Sequence, residues 1–562
     1  MRSGKRILLT GLLFVNTFVF GQSDSLKGWH LRDEQTDSLH GISINKTYEF
    51  LKGRKSKQVI VAVIDSGVDT TQEDLKNVLW LNPKEIAGNG IDEDGNGYID
   101  DIHGWNFLGG KDGRNIKTES AEATRIYHRY KSKFYNKQIN ESELTGNDKE
   151  QYELWKQAAE IIKAKPEDQV ELMFLEMALK AVKKQEKVLK EEMKKDTFTI
   201  ADVEKFSPDS VPGQKAKLSY LTFMKLTGAE SEETNINTFS ELEEYIDEKK
   251  KSLAAKDVAP ENVREEIVKD DYNNINDRFY GNNDVMGPSP MHGTHVSGII
   301  GAQRGNGIGA EGIADNVKIM MVRAVPDGDE YDKDIALAIK YAVDNGAKVI
   351  NMSFGKGISP EKKWVDSAVR YAELKDVLIV HAAGNDAEDS DTTGNFPNPD
   401  LKVLHRKATN FITVGASSDP KVSGDYIGDF SNYGKKSVDI FAPGVKIYST
   451  LPGRSSYGFL RGTSMASPVV AGVAAVIRSY FPDLSARQVK YAIEKSAVED
   501  TAIRVTRPGT KELMKMTDLC TSGGLINAYD AVKIAASLQP EKKEIRKQGL
   551  PKSTFKNLRV KQ

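Results

Sequence analysis

The sequence predicts an α/β domain built on a mostly parallel, twisted sheet sandwiched between helices, with a large, mainly helical insertion. Three blocks, separated by texture, carry that prediction. Gln58 to Ile64 (QVIVAVI) is a continuous apolar, β-branched run that suits a strand buried on both faces, and Asp65-Ser66-Gly67 ends it. The same texture returns after His292, where Ile319–Val322, Lys348–Asn351 and Val377–Val380 alternate with helix-like stretches such as Lys333 to Asn345. Alternation of this kind is the signature of a parallel sheet covered by helices. Between the two blocks, Lys111 to Asp277 is rich in Lys and Glu and poor in strand runs. There Leu175, Leu179, Val182, Leu189 and Met193 fall on one face of a helix whose other faces are charged.

With 562 residues the chain has room for a large domain plus an insertion. Its 39% hydrophobic and 28% charged residues, with a net charge of -2, give no global bias toward nucleic acid or anionic membrane, and no nucleic-acid partner is expected. Met1 to Arg6 is basic, Ile7 to Phe20 is apolar, and Val19-Phe20-Gly21 offers a cleavage site, the build of a secretory signal peptide. The apolar run is short for a span of about 20 residues, so no stable membrane span is expected after its removal. The expected destination is export, to the periplasm, cell surface or medium. Cys520 is the only cysteine, so no intramolecular disulfide can form. The expected layout is a signal peptide at 1–21, a split α/β domain at 22–110 and 280–537, a charged helical insertion at 111–279, and a basic tail at 538–562 that is disordered or loosely docked.

Three segments carry chemistry. Asp65 stands at the end of a buried parallel strand, on the rim where open α/β sheets build their sites. Alone, Asp-Ser-Gly after a strand reads first as a turn. Gly287-Pro288-Ser289-Pro290 breaks structure until Met291, after which His292-Gly293-Thr294-His295 opens a helix of small residues that can pack closely on the sheet. His295 shares the helix side of His292, which raises a metal-pair reading, but no third ligand stands nearby and a core histidine is preferred. Gly462-Thr463-Ser464-Met465-Ala466-Ser467-Pro468 runs into small and aliphatic residues as far as Ile477, a helix buried on nearly all sides. Ser464 at its start is a helix cap or a nucleophile beside a helix N-terminus.

Taken together, Val63-Ile64-Asp65-Ser66-Gly67, His292-Gly293-Thr294-His295 and Gly462 to Pro468 resemble, in chain order, the three signature motifs of the subtilases. The resemblance covers about 24–110 and 280–537. It implies a serine endopeptidase in which Ser464 attacks the scissile carbonyl, His292 carries the proton and Asp65 orients the imidazolium, with no catalytic cofactor. It also implies Asn385, in Ala382-Ala383-Gly384-Asn385, as oxyanion donor beside the Ser464 N–H. Protein or peptide substrates would lie extended along Ser353, Phe354 and Gly355, with Ala383 and Gly384 lining one wall of the primary specificity pocket. A silent binding protein and a factor that processes only itself are the rival readings.

Independently, Asp92-Glu93-Asp94-Gly95-Asn96-Gly97-Tyr98-Ile99-Asp100-Asp101 alternates oxygen ligands around a glycine turn, as structural Ca²⁺ requires. The expected ligands are Asp92, Asp94, Asn96, the Tyr98 carbonyl and one of Asp100 or Asp101. His103 stands where an EF-hand has its bidentate Glu, so an EF-hand proper is not expected. The pattern departs from a small subtilisin in that Asp65 and His292 stand 227 residues apart. Only about 36 residues separate the signal cut from Gln58, too few for a folding prodomain. The insertion is either passive decoration or a device governing access or latency.

Overall fold

A computed structural model describes residues 26–227, 234–498 and 503–541. The predicted signal peptide lies outside the described residues, as does the basic tail beyond Glu541. The described residues cluster into two compact units, one within 26–117, 264–356 and 361–541, the other within 118–263 and 357–360.

In the first unit seven strands form one sheet: β1 (Val59–Asp65), β2 (Gly104–Asn106), β3 (Val317–Arg323), β4 (Val349–Met352), β5 (Leu378–Ala382), β6 (Phe411–Ser417) and β7 (Ile440–Pro443). Their order is β2-β3-β1-β4-β5-β6-β7, and every pairing is parallel, as the apolar runs require. Val61, Val63 and Ile64 are completely buried; each such side chain stabilises the fold by about 1.5–3 kcal/mol. The order places the C-terminal ends of β1, β4 and β5 side by side. Asp65, the segment beginning at Ser353, and Asn385 therefore emerge at one rim of the sheet.

Two helices complete that rim, α1 (Met291–Gly301) and α4 (Thr463–Tyr480), while α2 (Asp332–Asp344) and α3 (Lys362–Leu374) pack on one another further along the chain. Gly293 lets α1 approach the end of β1: a Cβ there would stand 2.2 Å from the Gly67 carbonyl oxygen. Helix α4 joins the same hydrophobic core as the strands through Met465, Val469, Val470, Val473 and Ile477. Hairpin β8 (Ile447–Leu451) and β9 (Ser456–Leu460) packs against α1 and leads directly into α4.

The second unit is helical, with helices at Glu122–Phe134, Gly146–Ile161, Pro166–Met193, Val211–Thr227 and Asn235–Ala254. Val182 and Leu189 enter a core with Phe198, Val203, Ala216 and Tyr220, and Leu179 and Met193 pack at its edge. Leu175 stands half-buried at the limit of that core. In the N-terminal half of the same helix, Val170, Met173, Phe174 and Met177 are exposed. No helix among the described residues is long and apolar enough to cross a membrane.

Candidate active site

Asp65 closes β1 and is 1% exposed. Its Oδ1 accepts the Ser66 N–H at 2.8 Å and lies 2.7 Å from His292 Nδ1. Its Oδ2 is buried with no hydrogen-bond partner among the described residues, so the carboxylate charge is met chiefly by the imidazole. Burial pushes His292 down, but the charge of Asp65 and its hydrogen bond outweigh it and hold the ring above its usual value. The His292 side chain keeps 34% of its surface in solvent, which moderates the burial penalty.

Ser464 is the second residue of α4. Its hydroxyl donates to the Ser353 carbonyl at 3.0 Å rather than to His292; catalytic hydrogen bonds are often unformed before substrate binds. The Ser464 carbonyl is left without a helical donor because Pro468, four residues on, has no N–H. Ser353 Oγ fills that gap at 2.9 Å, and is itself held by Asn351 Nδ2 at 2.9 Å. The nucleophile segment and the segment after β4 are thereby tied together in both directions.

Asn385 is exposed just past β5. Its Oδ1 accepts from Thr463 N at 2.9 Å and Thr463 Oγ1 at 3.0 Å. This fixes the carboxamide orientation and leaves Nδ2 with no partner among the described residues, next to the start of α4. Thr463 Oγ1 also receives the Gly384 N–H at 3.1 Å. Thr463 was missing from the sequence prediction, its one signal being a small hydroxyl residue inside the serine motif. Ser353 and Ala383 are buried, Phe354 and Gly384 half-buried and Gly355 exposed. Gly355 makes no hydrogen bond to the described residues, so its backbone stands open. The Phe354 carbonyl is taken from behind by His381 Nε2 at 2.7 Å. Burial pushes His381 down to about 4, so it serves as a neutral donor. His295 is completely buried and its Nε2 lies 3.2 Å from the Gly458 carbonyl, a core position. Burial brings it down to about 3.

The acidic loop lies apart from these residues in sequence. Carboxylate oxygens of Glu85, Asp92 and Asp94 converge within 4.8 Å of one another. Glu85 precedes the predicted pattern and could not be found by its spacing. Asp92 accepts the Asn96 and Gly97 N–H groups at 3.1 and 2.8 Å. Asn96 Oδ1 accepts the Tyr98 N–H at 2.7 Å, while its Nδ2 donates to Asp101 Oδ2 at 3.0 Å. Asp100 turns to the Gly88 and Gly90 N–H groups at 2.8 and 2.9 Å. Asp101 is buried, bonded to Tyr341 and Asn82 at 2.6 and 2.7 Å, and burial raises it to about 6. Tyr98 is buried. Three partly exposed carboxylates on a loop are the hard oxygen donors that fit Ca²⁺.

The chain is 40% identical over 243 residues to the thermophilic serine proteinase of Bacillus sp. (strain AK1), covering 43% of this chain and 52% of that protein. It is 35% identical over 236 residues to the cell wall-associated protease of Bacillus subtilis (strain 168), covering 42% and 24%. To thermitase of Thermoactinomyces vulgaris it is 37% identical over 243 residues, covering 43% and 75%. The chain thus spans about half or less of the first two relatives and most of the third. The model of the subtilase family matches residues 56–523, a span that contains all three motifs and the strands that carry them. On that match and on the sheet that brings Asp65, His292 and Ser464 to one rim, the chain belongs to the subtilase family.

Proposed function

We propose that this protein is an exported serine endopeptidase that hydrolyses peptide bonds in protein substrates bound in extended form. The observation that carries the reading is the 2.7 Å contact of Asp65 with His292, at a rim where Ser464 begins a buried helix and Asn385 presents an oriented amide. Ser464 Oγ turns from the Ser353 carbonyl to the scissile carbonyl carbon as His292 Nε2 takes its proton. The imidazolium so formed is stabilised by Asp65, which stays ionised. The carbonyl oxygen becomes an oxyanion held by Asn385 Nδ2 and the Ser464 N–H. Return of the proton to the amine nitrogen breaks the peptide bond and leaves an acyl-serine, and water, activated by the same histidine, releases the acid.

The open backbone of Gly355, at the end of the Ser353–Phe354–Gly355 edge, supports main-chain pairing with the substrate, and Ala383 and Gly384 form the facing wall. Residues 22–110 and 280–537 form the peptidase domain, with 111–279 inserted into it. Glu85, Asp92 and Asp94 would hold a structural Ca²⁺, with Asn96, Tyr98, Asp100 and Asp101 shaping the loop around it. No cofactor enters the chemistry. Export is supported by the basic and apolar N-terminal pattern and by the likeness to a cell wall-associated protease.

Incubating the purified chain with an unrelated denatured protein tests the reading. New peptide termini are expected with the wild type and not with Ser464→Ala. Equal cleavage by both would assign the activity elsewhere, and cleavage of the chain alone would mark a self-processing factor.

A further inference from the structure

We infer that His381 is a positioning residue for extended substrates: by holding the Phe354 carbonyl from behind, it turns the Gly355 N–H outward to donate to a substrate carbonyl. The inference rests on the peptidase reading and names the residue that sets this part of its substrate edge. His381 is anomalous where it stands. Strand β5 lies between β4 and β6, and all five of its residues are buried. A strand buried on both faces favours aliphatic residues, and Leu378, Ile379 and Val380 supply them. His381, 1% exposed, puts a polar ring into that layer. Burial of such a group is unfavourable unless it is hydrogen-bonded.

The ring has one hydrogen-bond partner among the described residues, the Phe354 carbonyl, 2.7 Å from Nε2. A carbonyl only accepts, so Nε2 carries the proton and donates. The rings of Phe354 and Phe411 flank the imidazole, with centroids 6.3 and 5.8 Å away. The imidazole also lines a polar cavity of about 90 Å³ with Ser390, Thr393 and Thr413, which has room to solvate Nδ1.

The consequence falls on the next residue. In a trans peptide the carbonyl of one residue and the N–H of the next lie in one plane and point opposite ways. With the Phe354 carbonyl drawn toward β5, the Gly355 N–H faces away from it. Gly355 is exposed and makes no hydrogen bond to the described residues, so that donor is open. Its neighbours are anchored. Ser353 Oγ donates to the Ser464 carbonyl at 2.9 Å, and Lys356 exchanges backbone hydrogen bonds with Phe396 at 3.1 and 3.0 Å. Between those anchors the Phe354–Gly355 peptide is the unit most able to rotate, because glycine admits backbone angles closed to other residues. The bond from His381 is the one hydrogen bond that holds it among the described residues. Without it the N–H is free to turn inward, and the edge loses a donor.

The test uses the full chain and two anilide substrates that share the residue before the scissile bond, chosen from the termini released in the protein digest. One carries only an acetyl group before that residue. The other carries three alanines, so that only the second lays a peptide backbone along the edge. The readout is the ratio of kcat/KM, long over short. The wild type is expected to favour the long substrate by about tenfold or more, since contacts away from the reacting bond contribute to transition-state binding. His381→Leu keeps bulk and removes the donor, and is expected to lower the ratio about five- to tenfold, the loss of one hydrogen bond. Where His381→Leu does not fold, His381→Asn, whose amide is too short to reach, takes its place. His381→Gln, whose amide can donate to the same carbonyl, is expected to stay within about threefold of the wild-type ratio. A wild-type ratio near one overturns the inference whether or not any variant folds. So does a loss in His381→Leu shared equally by both substrates, which leaves the ratio unmoved and marks general damage. A His381→Gln ratio as low as that of His381→Leu overturns it too. Labelling of Ser464 by a fluorophosphonate that carries no peptide separates the layers. Labelling with an unmoved ratio overturns only the role of His381, whereas no labelling overturns the peptidase reading and the positioning role with it.

Discussion

Two acidic regions of the α/β unit use carboxylates in opposite ways. At the sheet rim, Asp65 is buried and aimed at one side-chain partner, His292. In the loop from Glu85 to Asp101, carboxylates face one another and are tempered mainly by backbone N–H groups. A single buried charge orients a proton carrier, whereas converging charges call for a cation. The difference teaches that acid content locates neither site; the partner each carboxylate is given decides what it does.

Four experiments bear on that contrast. Ser464→Ala should abolish turnover, by about a million-fold, a magnitude carried over from subtilisin itself; hydrolysis of a chromogenic peptide measures it. Asp65→Asn should cost about ten-thousandfold in kcat, the loss known for the same change in a serine-protease triad. It should also move the acid limb of the kcat/KM profile to lower pH. The sign follows from His292, which must be neutral to accept a proton: Asp65 holds it above its usual value, and the variant removes that support. An unmoved acid limb would mean that another group governs His292.

Asn385→Ala should lower kcat by about 100- to 1000-fold with little change in KM, a range that again comes from subtilisin. The smallest effect is assigned to the loop. Chelation with EDTA should lower Tm by about 5 °C, the shift for a cation present at roughly 100 times its Kd in a domain of this size. Asp94→Asn should remove that sensitivity while leaving the Asp65–His292 contact intact. A melting curve indifferent to EDTA would reduce the loop to hydrogen-bonded acids.

The sheet was legible in the sequence because strands buried on both faces admit little but β-branched and aliphatic residues, as Val59–Ile64 illustrates. The motif residues were legible because each sits where a strand ends or a helix begins, and such positions use a narrow vocabulary of Gly, Ser, Asp and His. Contacts between distant loops left no such trace. Glu85 joins Asp92 and Asp94 through a turn outside the repeating pattern. Thr463 orients Asn385 through hydrogen bonds that neither residue's own neighbours predict. On the helix Pro166–Met193 the apolar stripe was read correctly from Leu179 onward. Periodicity could not say where its packing partner stops: Leu175, half-buried like Leu179, lies outside that core.

The central claim is that Ser464 is a nucleophile activated through His292 and Asp65. Reaction of the folded wild type with a fluorophosphonate, followed by mass mapping of the modified peptide, tests it most directly. One adduct on Ser464, absent in Ser464→Ala and formed far more slowly in Asp65→Asn, is the predicted result. An adduct on another residue, or equal labelling rates in the wild type and Asp65→Asn, would contradict it.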